Sequence, residues 1–141
     1  MATTSTRRGL LGGAVAAMGC AAIPTPASAC TCDYWGDAAN HMARVDVVFR
    51  GKAIRTRLVN KHRAITTFDI MGMAKGEPRR NIDVAHGPAP DGSCGVSFMQ
   101  GSAYVVGATL EDDLYRAGLC DVNAYLWRQY RRAGTRAVSA E

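Results

Sequence analysis

The sequence predicts an all-β domain, a small closed barrel of five strands, and three observations carry that expectation. β-Branched and aromatic residues fall in five short runs between positions 45 and 108, each punctuated by glycine or a polar turn. Four cysteines remain once an amino-terminal export signal is set aside, an even number in a small exported chain. The 112 residues left after position 29 fill one domain rather than two.

Residues 1–29 read as a cleaved leader. Thr6-Arg7-Arg8-Gly9-Leu10-Leu11 has the twin-arginine pattern, and a weakly apolar Gly- and Ala-rich run follows from Gly9 to Ile23. That run is too short and small-residued for a membrane span, so none is expected after cleavage. Ala27-Ser28-Ala29 is the small-residue pattern after which a signal peptidase cuts, so the mature chain, 30–141, begins at Cys30 with a free α-amino group. Cys20 leaves with the leader. Two alternatives stay open: Arg7-Arg8 as the charged start of an ordinary secretory signal, and a lipid on Cys30, which would block that amine. All of them place the protein outside the cell or in its envelope.

The mature chain keeps 15 Lys and Arg against 12 Asp and Glu, which is mildly basic and not the signature of a polyanion binder. Its cysteines, Cys30, Cys32, Cys94 and Cys120, allow three disulfide pairings. A Cys30–Cys32 bridge would close a cramped ring, so each of the two is expected to reach a distant partner, Cys94 or Cys120. Loops that long constrain the unfolded chain by up to ~4 kcal/mol each.

The elements follow in order. Asp33 to Ala43 reads as a short helix with Asp37 as its cap after Gly36. Val45 to Ile54 is a long strand bent near Gly51, whose continuation ends at the basic turn Asn60-Lys61-His62-Arg63. Ala64 to Met73 is a second strand, closed by Lys75-Gly76-Glu77-Pro78, and Asn81 to Ala85 a third. His86 to Gly92 is loop. Cys94 to Phe98 and Ala103 to Ala108 are the fourth and fifth strands, around a turn at Gln100-Gly101-Ser102. Asp112 and Asp113 read as a solvated turn. Cys120 precedes Asp121, a candidate cap for a helix carrying Val122, Tyr125, Leu126 and Gln129 on one face, Arg128, Arg131 and Arg132 near its end, and Gly134 as its stop.

In this order the residues carry a resemblance. Cys30-Thr31-Cys32 at the mature start, the apolar strand ending Phe49-Arg50-Gly51, Lys75-Gly76, Cys94-Gly95, Tyr104-Val105-Val106-Gly107 and Cys120 before the last helix resemble the netrin-like amino-terminal domain of the tissue inhibitors of metalloproteinases. The resemblance spans the mature chain. It implies an OB-fold barrel with a flanking short helix and a carboxyl-terminal helix, and the pairings Cys30–Cys94 and Cys32–Cys120. It also implies a partner, a zinc metalloendopeptidase, and a mode of contact. The amine and carbonyl of Cys30 would chelate the target's catalytic zinc at the position that water otherwise fills. Thr31 would enter the primary specificity pocket, and Asp91-Gly92-Ser93 would widen the contact. Two bridges would hold this wedge rigid and lower the ordering cost of binding.

Other chemistry is thinly signalled. His41, His62 and His86 lack paired ligand spacing, so no metal site or cofactor of the protein's own is expected. Cys30-Thr31-Cys32 lacks the two-residue spacing of a redox dithiol. No nucleophile, histidine base and orienting acid read together, so an enzyme is not expected. Nucleic-acid binding by a basic groove with stacked aromatics is not expected either, and Trp35, Trp127 and the tyrosines read as packing residues. The expected protein is a monomeric inhibitor. The competing expectation is a non-inhibitory extracellular binding module on the same scaffold.

Overall fold

The computed structural model describes residues 30, 32, 37–89 and 94–138, and for 135–138 the backbone only. Five strands, β1 (Val47–Asn60), β2 (Arg63–Lys75), β3 (Asn81–His86), β4 (Ala103–Glu111) and β5 (Leu114–Arg116), pair in the order β1-β2-β3-β5-β4 and close on β1. All pairings are antiparallel except β3 with β5. Two helices lie outside the sheet, α1 (Ala38–Arg44) and α2 (Trp127–Val138). Among the described residues no helix is long and apolar enough to cross a membrane.

The strand alternation explains the layers. Val47 and Phe49 of β1, Phe68 of β2, Ile82 and Val84 of β3, and Val106 and Ala108 of β4 fill the interior. Phe68 is its centre, edge-on to Phe98 at 4.9 Å and to Phe49 at 5.4 Å between ring centroids. The residues between them face outward beneath the helices: Val48 and Val105 pack with Ala38, Met42, Val45, Leu126 and Tyr130. Both faces of the first half of β1 are therefore covered, which is why it reads as a continuous apolar run. Register shifts at Val48/Phe49, Arg50/Gly51, Ala53/Arg55 and Leu58/Asn60 bend this strand around the barrel.

Lys75-Gly76 joins the two layers. The Lys75 ammonium donates to the carbonyls of Met42 (2.7 Å) and Val45 (2.6 Å), capping the carboxyl end of α1 where the helix dipole favours a cation. Gly76 has φ +101°, and a Cβ there would lie 2.7 Å from Val47 Cγ1. At the other end of α1 the Asp37 carboxylate accepts from the Asn40 N–H, as the sequence predicts.

Three expectations need correction. Cys94–Phe98 is not a strand. β4 occupies the edge of β1 and β5 occupies the edge of β3, so the segment has no ladder to join. It crosses the barrel end instead, with Val96 and Phe98 buried in the interior. The fifth strand is Leu114–Arg116, reached through Asp112 (φ 49°) and Asp113 (φ 62°), a two-residue hairpin turn of the mirror-image class. The last helix starts at Trp127, not after Asp121, because two 3-10 turns, Leu119–Asp121 and Ala124–Leu126, come first. Trp127 and Tyr130 of this helix pack inward with Leu126 of the turn before it, while Tyr125 of that turn and Gln129 are exposed and Val122 bridges to Val106. Gly134 lies inside this helix, where a Cβ would meet the Ala74 carbonyl oxygen at 2.3 Å.

Candidate functional site

Both amino-terminal half-cystines are fastened to one end of the barrel. Cys30 is bonded to Cys94 and Cys32 to Cys120, across 64 and 88 residues of sequence. These are the pairings the resemblance implies. The two receiving segments are neighbours, since the Leu119 N–H donates to the Cys94 carbonyl at 3.4 Å. A chain stretch three residues long is thus pinned at its first and third positions onto adjacent backbone. Thr31, Asp91, Gly92 and Ser93 lie outside the described residues, as do the leader, Trp35 and the start of the predicted first helix.

The local geometry explains why these anchors are firm. Next to Cys94, Gly95 runs so close to Gly87-Pro88 that a Cβ would sit 2.6 Å from the Pro88 carbonyl oxygen. The adjacent Val96 N–H donates to the Gly87 carbonyl at 2.9 Å, and Phe98 plugs the core. Cys94 itself has φ 33° and is exposed, a backbone state a non-glycine residue adopts only when its surroundings demand it. On the other side, the Cys120 carbonyl accepts from Asn123 Nδ2 at 2.8 Å, and Asp121 Oδ2 accepts from the Gly118 N–H at 2.7 Å. Leu119 between them is an exposed aliphatic residue.

Asp121 belongs to a polar network that runs beneath this anchor. His41 of α1 is fully buried, with Nε2 3.0 Å from Asp121 Oδ1 and Nδ1 2.5 Å from the Tyr130 hydroxyl. Tyr130 also receives Asn123 Nδ2 at 3.3 Å. Burial pushes the Tyr130 phenol up to about 12, so it keeps its proton. The Asp121 carboxylate only accepts, so His41 Nε2 donates to its Oδ1. The network ties α1, α2 and the Cys120 turn together, with Gly107 of β4 so close that a Cβ would lie 2.7 Å from the imidazole. In the sequence His41 stands as an isolated histidine. Its signal was there: Ala38, His41, Met42 and Val45 recur at helical spacing on one face, and a histidine on that face must be buried and bonded.

His86 supports the same end from inside. Its ring meets Phe98 edge-on at 4.9 Å, Nε2 accepts from Thr66 Oγ1 at 2.8 Å, and Nδ1 donates to the Gly87 carbonyl. Burial holds its pKa below the ordinary 6.5, against the opposing pull of the Gly87 and Val96 carbonyls. On acidification the unfolded chain takes up this proton first. Stability is therefore complete above about pH 6.5 and falls with pH until the folded-state value is passed. Thermal melts between about pH 7.5 and 5 should show this fall, and His86→Gln should flatten it; an unchanged slope would exclude His86 as its source.

Among the described residues no three His, Cys, Asp or Glu side chains converge to hold a metal ion. Arg128, Arg131 and Arg132 all lie on the exposed face of α2. No protein-family model matches the chain, and no curated protein matches it either.

Proposed function

We propose that the mature chain is an exported inhibitor of zinc metalloendopeptidases, built on the OB-type barrel of the tissue inhibitors of metalloproteinases. The observation that carries this reading is the double fastening of Cys30 and Cys32 to neighbouring segments of one barrel end. The strand order, with its lone parallel pairing of β3 and β5, agrees with an OB topology. In the proposed complex the α-amine and carbonyl of Cys30 form a five-membered chelate on the target's zinc, displacing the catalytic water. Thr31 fills the pocket beside the metal, and Asp91, Gly92 and Ser93 lie along the cleft. The protein contributes no reacting group and turns over no substrate. Leader cleavage before Cys30 delivers it to the envelope or the medium as a monomer.

The chelate requires a free terminal nitrogen, and that requirement makes the test. Two disulfide-bonded proteins, one beginning at Cys30 and one retaining Ala29, are titrated against a panel of zinc endopeptidases. Inhibition by the first alone is expected, since an acylated nitrogen has no lone pair to give. Inhibition should also weaken below about pH 8, where the amine holds a proton that metal binding must release. Equal inhibition by both forms would dismiss the chelate. Inhibition by neither, with both bridges intact, would leave the scaffold as a non-inhibitory binding module for these protease classes.

A further inference from the structure

We propose that the hairpin made by the outer half of β1 and the start of β2 is a docking element for an anionic lipid surface. The inference is independent of the inhibitor reading.

Charge on this chain is segregated in a way its small net value hides. From Val47 to Phe68 stand Arg50, Lys52, Arg55, Arg57, Lys61 and Arg63, with no Asp or Glu among them. β4 and the turn before it pair with β1 as far as Ala53, whose N–H donates to the Ser102 carbonyl and whose carbonyl accepts from the Gly101 N–H, so beyond Ala53 β1 has β2 on one side and, among the described residues, no strand on the other. Every residue from Ile54 to His62 is exposed. Among the described residues no carboxylate pairs with Arg55, Arg57, Lys61 or Arg63.

Cations along a bare edge also serve to keep other strands from pairing there. That purpose does not explain the aliphatic residues set among them. Leu58 is 71 % exposed and Val59 47 % exposed, at the tip and next to Arg57, Lys61 and Arg63. An edge built only to repel would not carry its most exposed leucine there, and a site for a hydrophilic polyanion gains nothing from it. A lipid surface uses both: aliphatic side chains enter the acyl boundary while the cations meet phosphate headgroups. At the root of the tip, His62 and Arg63 line a cleft of about 300 Å³ beside His86 and Gly87, together with Arg116, whose Nε pairs with Glu111 at 2.9 Å.

The test is co-sedimentation of the disulfide-bonded exported protein with phosphatidylglycerol–phosphatidylcholine vesicles and with pure phosphatidylcholine vesicles. Binding to the first and not the second is expected. Arg55→Gln/Arg57→Gln/Lys61→Gln should lower partitioning about 100-fold, roughly five-fold per cation. Leu58→Ser/Val59→Ser should lower it about ten-fold. These residues are exposed, so the variants should melt with wild type, which verifies that they fold. Arg128→Gln/Arg131→Gln/Arg132→Gln removes the same charge from α2 and should leave binding unchanged. The proposal is overturned if the two vesicles bind alike, if the helix variant loses as much as the hairpin variant, or if Leu58→Ser/Val59→Ser binds like wild type while dextran sulfate competes. The last result would assign the hairpin to a soluble polyanion.

Discussion

Phe68→Ala is expected to lower stability by ~3–5 kcal/mol, the range for emptying an aromatic site in a core. Phe68 is fully buried, and its ring stands edge-on to Phe49, Phe98 and Tyr104, with centroid distances of 5.4, 4.9 and 6.5 Å. Two of those neighbours stand on paired strands, Phe49 on β1 and Tyr104 on β4, and cannot close the gap without bending them. A domain of this size holds about 5–15 kcal/mol in all, and the loss should show as a fall of ~12–20 °C in Tm. Phe68→Leu, which keeps most of the volume, should recover more than half of it. A Phe68→Ala protein melting within a few degrees of wild type would mean that this cluster does not organise the core.

Opening the longer bridge with Cys32→Ser/Cys120→Ser should cost ~2–5 kcal/mol. The cause differs from that at Phe68, since the interior stays filled and the unfolded chain gains freedom across 88 residues. The asymmetry is testable: reducing agent should destabilise wild type by more than it destabilises this variant, which has only Cys30–Cys94 to lose. If the variant unfolds with wild type in denaturant, the bridge is not a stability element. Where the protein inhibits a protease, affinity should fall too, because the amino-terminal segment is then held at one point.

Much of the barrel was legible because its strands announce themselves locally. The turn Asn60-Lys61-His62-Arg63 lies between two alternating runs, and there the His62 N–H donates to Asn60 Oδ1 at 2.8 Å. Cys94-Gly95-Val96-Ser97-Phe98 misled for a physical reason. Two inward apolar residues with one small residue between them look the same whether the backbone pairs in a sheet or only delivers Val96 and Phe98 to the core. Leu114–Arg116 is too short for any period to show, and only the paired aspartates before it betray a hairpin. Asp121 resembles a helix cap, but its carboxylate serves Gly118 and His41, which are decided by packing between distant segments. The disulfide pairing was legible through the resemblance alone, because composition and spacing leave three pairings open.

The two bridges make the fold decide the pairing. Cys30 and Cys32 are neighbours in sequence, while their partners stand 64 and 88 residues away. In an unfolded chain Cys94 can be taken by either, and a Cys32–Cys94 bond leaves Cys30 to close on Cys120 in a different isomer. Cys120 follows the last strand, so β1 to β5 all lie within the span that the longer bridge closes. In the folded barrel Cys94 and Leu119 stand side by side, joined by the hydrogen bond between them. The barrel therefore acts as the template that sorts its own thiols, and early mispairing must be undone by exchange rather than prevented.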